Sequence, residues 1–456
     1  MNLELKTYLD ALCAVRPTAG QRSWYDMETY AFIHFGVNTF TDREWGLGGE
    51  DEALFAPTDL DCDQWVEAIK AAGMKGMVLT AKHHDGFCLW PSRHTEHSVK
   101  NAACKTDVVK AAADACRRGG IKFGFYLSPW DRSSPLYGTD AYNDYFCAQL
   151  EELLTGYGEI FYVWFDNACG EGPSGKQQRY DFPRYISLIR SLQPNALIFN
   201  DYGPDVRWCG NEAGAARTSE WAVVPTELCR YAKAQTGPGP LHEAGALSYL
   251  YNDCALIGDL PQALRAGGMG FVPAEVDTSI RPGWFWHPSE TPKTCDELFS
   301  IYLNSVGHNA CLNLNIPPNR RGRLDDQDVA VLASFGARIR NTFSDPIAAV
   351  YPQNDAQKEM EITLPLEAGD RPRFVTLREE IACGQRIEAF RILGTTASGA
   401  RPMLYQGTTV GNRQICELRK TPEKLQEALS SLTVQVLLTR GAARWKSIEV
   451  FGDASH

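Results

Sequence analysis

Short apolar runs alternate with amphipathic segments between Tyr30 and Asn200, and this alternation restricts the fold more than any other feature of the sequence. Each apolar run suits a strand buried on both faces, as in parallel sheets, and each amphipathic segment suits a covering helix. The predicted strands are Tyr30–Gly36, Lys75–Ala81, Ile121–Ser128, Ile160–Phe165 and Ala196–Asn200. The predicted helices are Asp61–Ala72, Asp107–Arg118, Ala141–Thr155 and Phe182–Leu192. Such repeated strand–helix units indicate a (β/α)8 barrel or a doubly wound sheet.

The pattern weakens after Asn200 and changes in character after Ser344. Weaker strands are predicted at Val206–Cys209, Trp221–Val224, Gly270–Val272 and Cys311–Ile316, and a helix over Asp325–Arg340 would close the barrel. Alternating apolar and polar residues, typical of antiparallel strands, follow in Glu361–Leu364, Arg373–Leu377, Ile387–Ile392, Leu432–Leu437 and Ser447–Phe451. The sequence therefore predicts a (β/α)8-like TIM barrel over residues 1–343 and a C-terminal antiparallel β-sandwich over residues 344–456.

Charge and apolar content exclude several classes of partner. The net charge is -11 and basic residues form no run, so a nucleic acid partner is not expected. No segment reaches the about 18 apolar residues of a membrane span, and no apolar leader is evident. The 14 cysteines form no CxxC pair, which indicates reduced thiols and favours a cytoplasmic protein, or a secreted one if a leader has been removed. The oligomeric state is not predicted.

Residue types that carry chemistry directly follow the predicted strands. Asp166 comes after the apolar run Ile160–Phe165. The ends of the first three strands carry His34, His83, His84 and Tyr126. Because the carboxyl ends of barrel strands meet at the face that holds the active site, we expect these side chains to share one cavity, with Asp166 as a nucleophile or base. A helix cap or a turn is the structural alternative for Asp166.

The three histidines also raise the alternative of a metal site. Neighbouring strand residues point to opposite faces, so His83 and His84 would share an ion only beyond the strand end. No HxH or cysteine-containing ligand set accompanies them. The residues favour neutral imidazoles that hydrogen-bond the hydroxyl groups of a polar ligand, with no metal and no cofactor. Trp45 would add an indole donor and a ring wall, or would simply fill a loop.

A second carboxyl group is needed if Asp166 attacks an acetal carbon, because the leaving oxygen must be protonated. Glu212 is the best candidate, since the segment Val206–Gly214 is rich in Gly and Trp and is typical of a loop at a strand end. Glu275 is the alternative. A separation of about 5 to 5.5 Å between the two carboxyl groups would indicate a retaining glycosidase, and one of about 6.5 to 9.5 Å an inverting glycosidase.

Five motifs in a fixed order carry a resemblance to a known family. They are Phe32–Gly36, Glu44–Gly46, Lys82–Phe87, Trp164–Asp166 and Leu312–Gly322. Together they resemble the α-L-fucosidases of glycoside hydrolase family 29 across the whole predicted barrel. The stretches Phe374–Ile381 and Gly384–Phe390 are similar to the accessory β-domain of that family. The resemblance implies a barrel followed by a sandwich, in agreement with the strand pattern.

The resemblance also implies a retaining α-L-fucosidase that needs no cofactor and acts on a fucosylated oligosaccharide. Asp166 would be the nucleophile that forms a covalent fucosyl-enzyme. Glu212 would be the acid/base, because Arg207–Gly214 is similar to the subgroup that cleaves α-1,3 and α-1,4 fucosyl branches. The fucose pocket would be lined by His34, Trp45, His83, His84 and Tyr126. Asn167 departs from the family, in which many members carry Gly at that position.

An aromatic loop over Arg281–His287 is the remaining candidate for substrate contact. Fucose is a 6-deoxy sugar, so its site must combine partners for ring hydroxyls with an apolar surface for the methyl group. Trp284 and His287 would form that wall or hold a neighbouring galactose, and Glu275 with Asp277 would then position the aglycone. The alternative for this loop is a packed interface against the β-domain.

Other functions remain compatible with these residues. One is a catalytically weak fucose-binding barrel, which the presence of both candidate carboxyl groups disfavours. A second is a barrel glycosidase that acts on another hexose. A third is a metal-dependent amidohydrolase, which activity in the presence of EDTA would exclude.

Overall fold

The computed structural model describes residues 3–201, 203–226, 258–264, 266–353, 358–418 and 428–452. Its central sheet has eight parallel strands in the order β5-β4-β3-β2-β1-β10-β9-β6. They are β1 Thr29–Ile33, β2 Gly76–Lys82, β3 Lys122–Leu127, β4 Tyr162–Trp164, β5 Leu197–Phe199, β6 Arg207–Trp208, β9 Ala274–Ser279 and β10 Cys311–Asn315. A parallel bridge between Phe199 and Val206 joins the two edges of the sheet, so the ring of strands is nearly closed. The predicted barrel is confirmed.

The barrel strands are buried on both faces. All residues of β1 and β2 are buried, as the continuous apolar runs predict. The observed β4 is shorter than its apolar run and ends at Trp164, although the amide of Phe165 still donates to the carbonyl of Phe199 at 3.1 Å. Asp166 therefore lies just beyond the strand end. A separate antiparallel ribbon is formed by β7 Val223–Pro225 and β8 Met269–Phe271.

Aspartate caps begin three of the helices that cover the barrel. The side chains of Asp61, Asp107 and Asp181 accept hydrogen bonds from the first-turn amides of α4 Cys62–Ala71, α5 Val108–Gly119 and α7 Phe182–Leu192, which fixes where these helices begin. The other helices are α1 Leu3–Ala14, α2 Ala19–Tyr25, α3 Val37–Thr41, α6 Ala141–Gly156, α8 Leu260–Ala263, α9 Cys295–Ser305 and α10 Asp326–Phe343. Among the residues that the structure describes, no helix is long and apolar enough to cross a bilayer.

The C-terminal region forms two four-stranded antiparallel sheets, which confirms the predicted sandwich. One sheet has the order β11-β18-β13-β16 and the other β12-β17-β14-β15. The strands are β11 Ala348–Val350, β12 Glu361–Pro365, β13 Pro372–Glu379, β14 Ile387–Thr396, β15 Met403–Gly407, β16 Gln414–Glu417, β17 Leu429–Thr439 and β18 Trp445–Gly452. Their inward-facing residues form a hydrophobic core that is separate from the core of the barrel. The sandwich core includes Val375, Phe390, Val434 and Ile448.

Glu28 joins the barrel to the sandwich. It precedes β1 with a left-handed backbone (φ 58°), and its carboxylate accepts hydrogen bonds from Arg378 at 2.6 Å, from Arg413 at 2.7 Å and from the Tyr302 hydroxyl at 2.9 Å. Burial opposes the charge of Glu28, but the two guanidinium groups outweigh it and lower the pKa to about 2. The junction is therefore a partly buried cluster that needs an ionised carboxylate.

Glu28→Gln is expected to destabilise the protein in a pH-dependent way. The pKa of Glu28 falls from 4.5 to about 2 on folding, so its stabilisation is present above pH 4.5 and is lost as the pH falls toward 2. At pH 7 we expect a loss of about 3 kcal/mol, because the buried Arg413 and the partly buried Arg378 lose their counter-charge. Urea unfolding of the wild type and of Glu28→Gln should therefore show a difference in the free energy of unfolding at pH 7, and a smaller difference at pH 3. The control is Glu417→Gln, which removes a 3.5 Å contact with Arg373. If Glu28→Gln lowered the free energy of unfolding equally at both pH values, this role of Glu28 would be contradicted.

Candidate active site

A cavity of about 200 Å³ opens at the carboxyl ends of the barrel strands. This is below the about 300–1,000 Å³ of sites for drug-sized ligands and suits a small polar ring. Its lining residues come from β1, β3, β4 and β9, and from the loops that follow β1, β2, β4, β6 and β9. They are Phe32, His34, Glu44, Trp45, His83, His84, Tyr126, Trp164, Asp166, Ala168, Glu212, Asp277 and Trp284. The structure thus brings together nine of the eleven residues that the sequence singles out for catalysis or substrate contact, and leaves out Glu275 and His287.

Asp166 is held on one wall of the cavity by two donors. Its Oδ1 accepts from the backbone amide of Ala168 at 2.7 Å, and its Oδ2 accepts from the Tyr126 hydroxyl at 3.2 Å. Burial and the charge of Asp166 raise the pKa of Tyr126 well above its ordinary value, so the phenol remains a donor. The side chain of Asp166 keeps 27% of its surface exposed, which leaves its carboxylate accessible from the cavity.

Glu212 lies across the cavity on the loop that follows β6. The Thr278 hydroxyl donates to the backbone carbonyl of Glu212 at 2.9 Å and holds this loop against β9. Burial raises the pKa of the Glu212 carboxyl, a hydrogen bond with Trp284 partly offsets this effect, and the charges of Asp166 and Glu44 raise the pKa further. The two carboxyl groups therefore influence each other, and Glu212 is the one that retains a proton more readily than an ordinary glutamate.

The three histidines of the cavity are neutral at pH 7. Burial lowers the pKa of His34 to about 3 and that of His83 well below its ordinary value. Burial also lowers the pKa of His84, although the nearby charge of Asp166 opposes the effect. The rings of His83 and His84 are 4.2 Å apart, and those of His34 and His83 are 5.5 Å apart. Within the described ranges, no group of three or more His, Cys, Asp or Glu side chains has an arrangement that could hold a metal ion.

Aromatic rings supply the apolar surface of the cavity. The ring of Trp164 packs against Phe32 at 5.1 Å and stacks on Tyr126 at 5.2 Å, while Trp284 lies 5.1 Å from His34. Trp45 stands apart because 58% of its surface is exposed. It therefore forms the rim of the cavity rather than its floor.

Glu275 is not brought to the cavity, and the prediction that it contacts substrate or serves as an alternative acid is corrected. It is fully buried on β9. Its carboxylate accepts hydrogen bonds from four donors, namely Tyr30, Tyr162 at 2.6 Å, Trp164 at 2.8 Å and Asn313 at 3.1 Å. Because these donors occupy both oxygens, Glu275 holds the indole of Trp164 in place from inside the barrel.

His287 does not line the cavity, so the prediction that it forms part of the cavity wall is corrected, while its contact with a neighbouring galactose stays a prediction. Its Nδ1 lies 2.6 Å from Asp42 and its Nε2 lies 2.6 Å from Glu44. Burial opposes protonation, but hydrogen bonds with these two carboxylates outweigh burial and raise the pKa of His287. Glu44 in turn accepts from the backbone amide of Trp284 at 2.9 Å. His287 therefore fastens the aromatic loop to the segment that carries Trp45.

One acidic residue near the site, Asp201, was missed from the sequence, and Asp277 was predicted there only to position the aglycone. Asp277 lines the cavity, and Trp208 donates to its Oδ1 at 2.6 Å. Burial, followed by the charges of Glu275 and Glu212, raises the pKa of Asp277 well above its ordinary value. Asp201 follows β5, and burial together with the charge of Asp166 raises its pKa to about 8. Its position at a strand end is the signal that could have identified it.

Comparison with known proteins identifies the family of this chain. The sequence model of the α-L-fucosidase family matches residues 14–341. Alpha-L-fucosidase 1 of Arabidopsis thaliana is 40% identical over 88% of this chain and 81% of its own length. A glycoside hydrolase family 29 member from a rumen bacterium is 37% identical, with a TM-score of 0.83 over 97% of this chain and 78% of that structure. A Ruminococcus gnavus fucosidase of the same family, solved in complex with fucose, is 28% identical, with a TM-score of 0.81 over 96% of this chain and 95% of that structure. This chain therefore belongs to the α-L-fucosidases of glycoside hydrolase family 29.

Proposed function

We propose that this α-L-fucosidase releases α-1,3- and α-1,4-linked fucose from branched glycans, with retention, through a covalent fucosyl-enzyme. The observation that carries the proposal is the pairing of Asp166 and Glu212 across one small cavity, in which the charge of one raises the pKa of the other. Retaining glycosidases need such a pair about 5 to 5.5 Å apart, with one carboxylate free to attack and one carboxyl group able to give a proton.

In the first step, a carboxylate oxygen of Asp166 attacks the anomeric carbon of fucose. The bond between that carbon and the glycosidic oxygen breaks, and Glu212 gives its proton to the departing oxygen. The raised pKa of Glu212 favours this transfer, because the carboxyl group keeps its proton to a higher pH than an ordinary glutamate does. The products are the fucosyl ester of Asp166 and a free glycan.

In the second step, Glu212 is ionised and takes a proton from water. The water oxygen attacks the anomeric carbon, and the ester bond to Asp166 breaks. Fucose leaves with the same anomeric configuration that it had in the substrate, Asp166 is again a carboxylate and Glu212 is again protonated.

The polar and apolar walls of the cavity support fucose as the bound sugar. His34, His83 and His84 are neutral and can pair with ring hydroxyls. Phe32 and Trp164 offer an apolar surface for the C6 methyl group. Trp45 and Trp284 complete the walls, and the exposed rim position of Trp45 suits contact with the sugar beyond fucose.

We also propose a domain boundary between residues 343 and 344, which separates α10 from the strands of the sandwich. A reducing, cytoplasmic location is proposed because all twelve cysteines in the part of the chain that the structure describes are free. The partner that we propose for this enzyme is its substrate, a fucosylated oligosaccharide.

A panel of trisaccharides tests the linkage preference. We expect fucose release when fucose is α-1,3- or α-1,4-linked to N-acetylglucosamine that also carries galactose, and at most slow release from α-1,2-linked fucosyl galactose. Aryl α-L-fucoside and aryl galactoside serve as positive and negative controls, measured as product by chromatography. Faster release from the α-1,2-linked compound would contradict the proposed linkage without affecting assignment to the family.

A further inference from the structure

Two polar side chains, Ser128 and Asn315, hold two of the cavity histidines from behind. Resting on the proposed function, we infer that both are positioning residues, which fix the ring proton of His84 and of His34 on Nδ1. Each ring then turns an unprotonated Nε2 toward the substrate. The atoms around them that can only donate or only accept a hydrogen bond dictate this arrangement.

The amide of Asn315 has one orientation that satisfies its neighbours. Its Nδ2 lies 2.7 Å from the backbone carbonyl of Trp284, which can only accept, and 2.9 Å from Ser279 Oγ. Its Oδ1 lies 3.2 Å from the backbone amide of His34, which can only donate. The Nδ1 of His34 is 2.8 Å from the same Oδ1 and must carry the proton that joins them.

The hydroxyl group of Ser128 imposes the same tautomer on His84. Its Oγ lies 2.7 Å from the backbone carbonyl of Trp130, which takes the single hydroxyl proton. The Nδ1 of His84 is 2.7 Å from that Oγ, so the serine oxygen accepts there and His84 Nδ1 donates. Ser128 is fully buried, and water does not compete for these bonds.

The position of the proton matters because of what lies on the other side of His84. The Nε2 of His84 is 3.6 Å from Oδ2 of Asp166. A proton on Nε2 would point at this carboxylate and withdraw charge from the attacking oxygen. With the proton held on Nδ1, Nε2 is instead an acceptor for a sugar hydroxyl, and the nucleophile keeps its charge.

His34 and His84 therefore present two fixed acceptors to the ligand. A ligand without matching hydroxyl groups would leave these buried nitrogens unpaired, which penalises its binding. His83 differs, since its Nδ1 has no hydrogen-bond partner among the described residues. Its tautomer is not fixed in this way, and it provides an internal reference.

Nitrogen-15 NMR of protein labelled at histidine tests the assignment, with His34→Gln and His84→Gln used only to identify the resonances. In spectra recorded at about pH 7.5, we expect His34 and His84 each to show a protonated Nδ1 and an unprotonated Nε2. Ser128→Ala should shift His84 toward the other tautomer and lower kcat/KM by about 10- to 100-fold, as for the loss of other orienting hydrogen bonds. Ser128→Thr should restore both properties. Ser134→Ala removes another buried hydroxyl after β3 and should change neither.

A wild-type spectrum with the proton of His84 on Nε2 would overturn the assignment. So would a Ser128→Ala variant that loses activity while its His84 tautomer stays unchanged, because Ser128 would then act only through packing. The spectra are recorded without substrate. If the enzyme failed to release fucose while the spectra showed the expected tautomers, the proposed function would fail and the tautomer assignment would stand.

Discussion

Asp166→Ala is expected to lower kcat on an aryl α-L-fucoside by about 10⁴- to 10⁶-fold, the range that follows removal of a catalytic nucleophile or its activating group. Asp166 faces the cavity at the end of β4. The Tyr126 hydroxyl and the Ala168 amide hold its carboxylate in place. The substitution removes the attacking oxygen and leaves the barrel strands untouched. Initial-rate kinetics and a circular dichroism melt measure the two effects separately.

The matched control for this prediction is Asp181→Ala. Asp181 caps α7, the helix after β4, by accepting from the Arg184 amide at 3.2 Å. Its loss should cost about 1 kcal/mol of stability and leave kcat unchanged. If Asp166→Ala retained activity within about tenfold of the wild type, the nucleophile would have to be another group.

Glu212→Ala is expected to lower kcat on a natural oligosaccharide by about 10²- to 10⁴-fold, the usual contribution of a general acid or base. An aryl fucoside with a good leaving group should be affected less in the first step, because its oxygen departs without a proton. Added azide should then restore turnover and give α-fucosyl azide, since azide attacks the fucosyl-enzyme without a general base. The product is identified by NMR.

The pH profile gives a second readout for Glu212. The wild-type rate should fall as the pH rises through the raised pKa of this carboxyl, because the first step needs its protonated form. The variant should lack this alkaline limb. Asp277→Asn is the control, since Asp277 lines the same cavity and also has a raised pKa. Azide rescue in the Asp277 variant, and none in the Glu212 variant, would transfer the acid/base role to Asp277.

The sequence predicted the first five barrel strands because each is buried on both faces and is therefore a continuous apolar run. It failed at β9, Ala274–Ser279, which is equally buried but polar. Glu275, Asp277, Thr278 and Ser279 interrupt the continuous apolar run that is expected of a strand buried on both faces. Donors from other strands make the burial of both acids tolerable, since Tyr30 and Tyr162 donate to Glu275 and Trp208 donates to Asp277.

The helix α9 shows a signal that was present and overlooked. Thr294 and Glu297 form a capping box at its start. The Thr294 hydroxyl accepts from the backbone amide of Glu297, and the Glu297 carboxylate accepts from the backbone amide of Thr294. The T-x-x-E spacing in front of an apolar run is readable from the sequence alone.

The site residues could be predicted where they directly follow a strand. They could not be predicted where their placement depends on hydrogen-bond partners far away in the chain. Asp166 and His84 follow directly from strand position. Glu275 was misplaced because the sequence does not show that four donors consume its oxygens, and His287 because its carboxylate partners lie far away in the chain. The individual roles of the cavity residues stay predictions until the variants are measured.

Trapping the intermediate with 2-deoxy-2-fluoro-α-L-fucosyl fluoride tests the central claim most directly. We expect an intact protein heavier by one fluorofucosyl group, with the modified peptide mapping to Asp166. A label on another residue, or no adduct together with a product of inverted configuration, would contradict it.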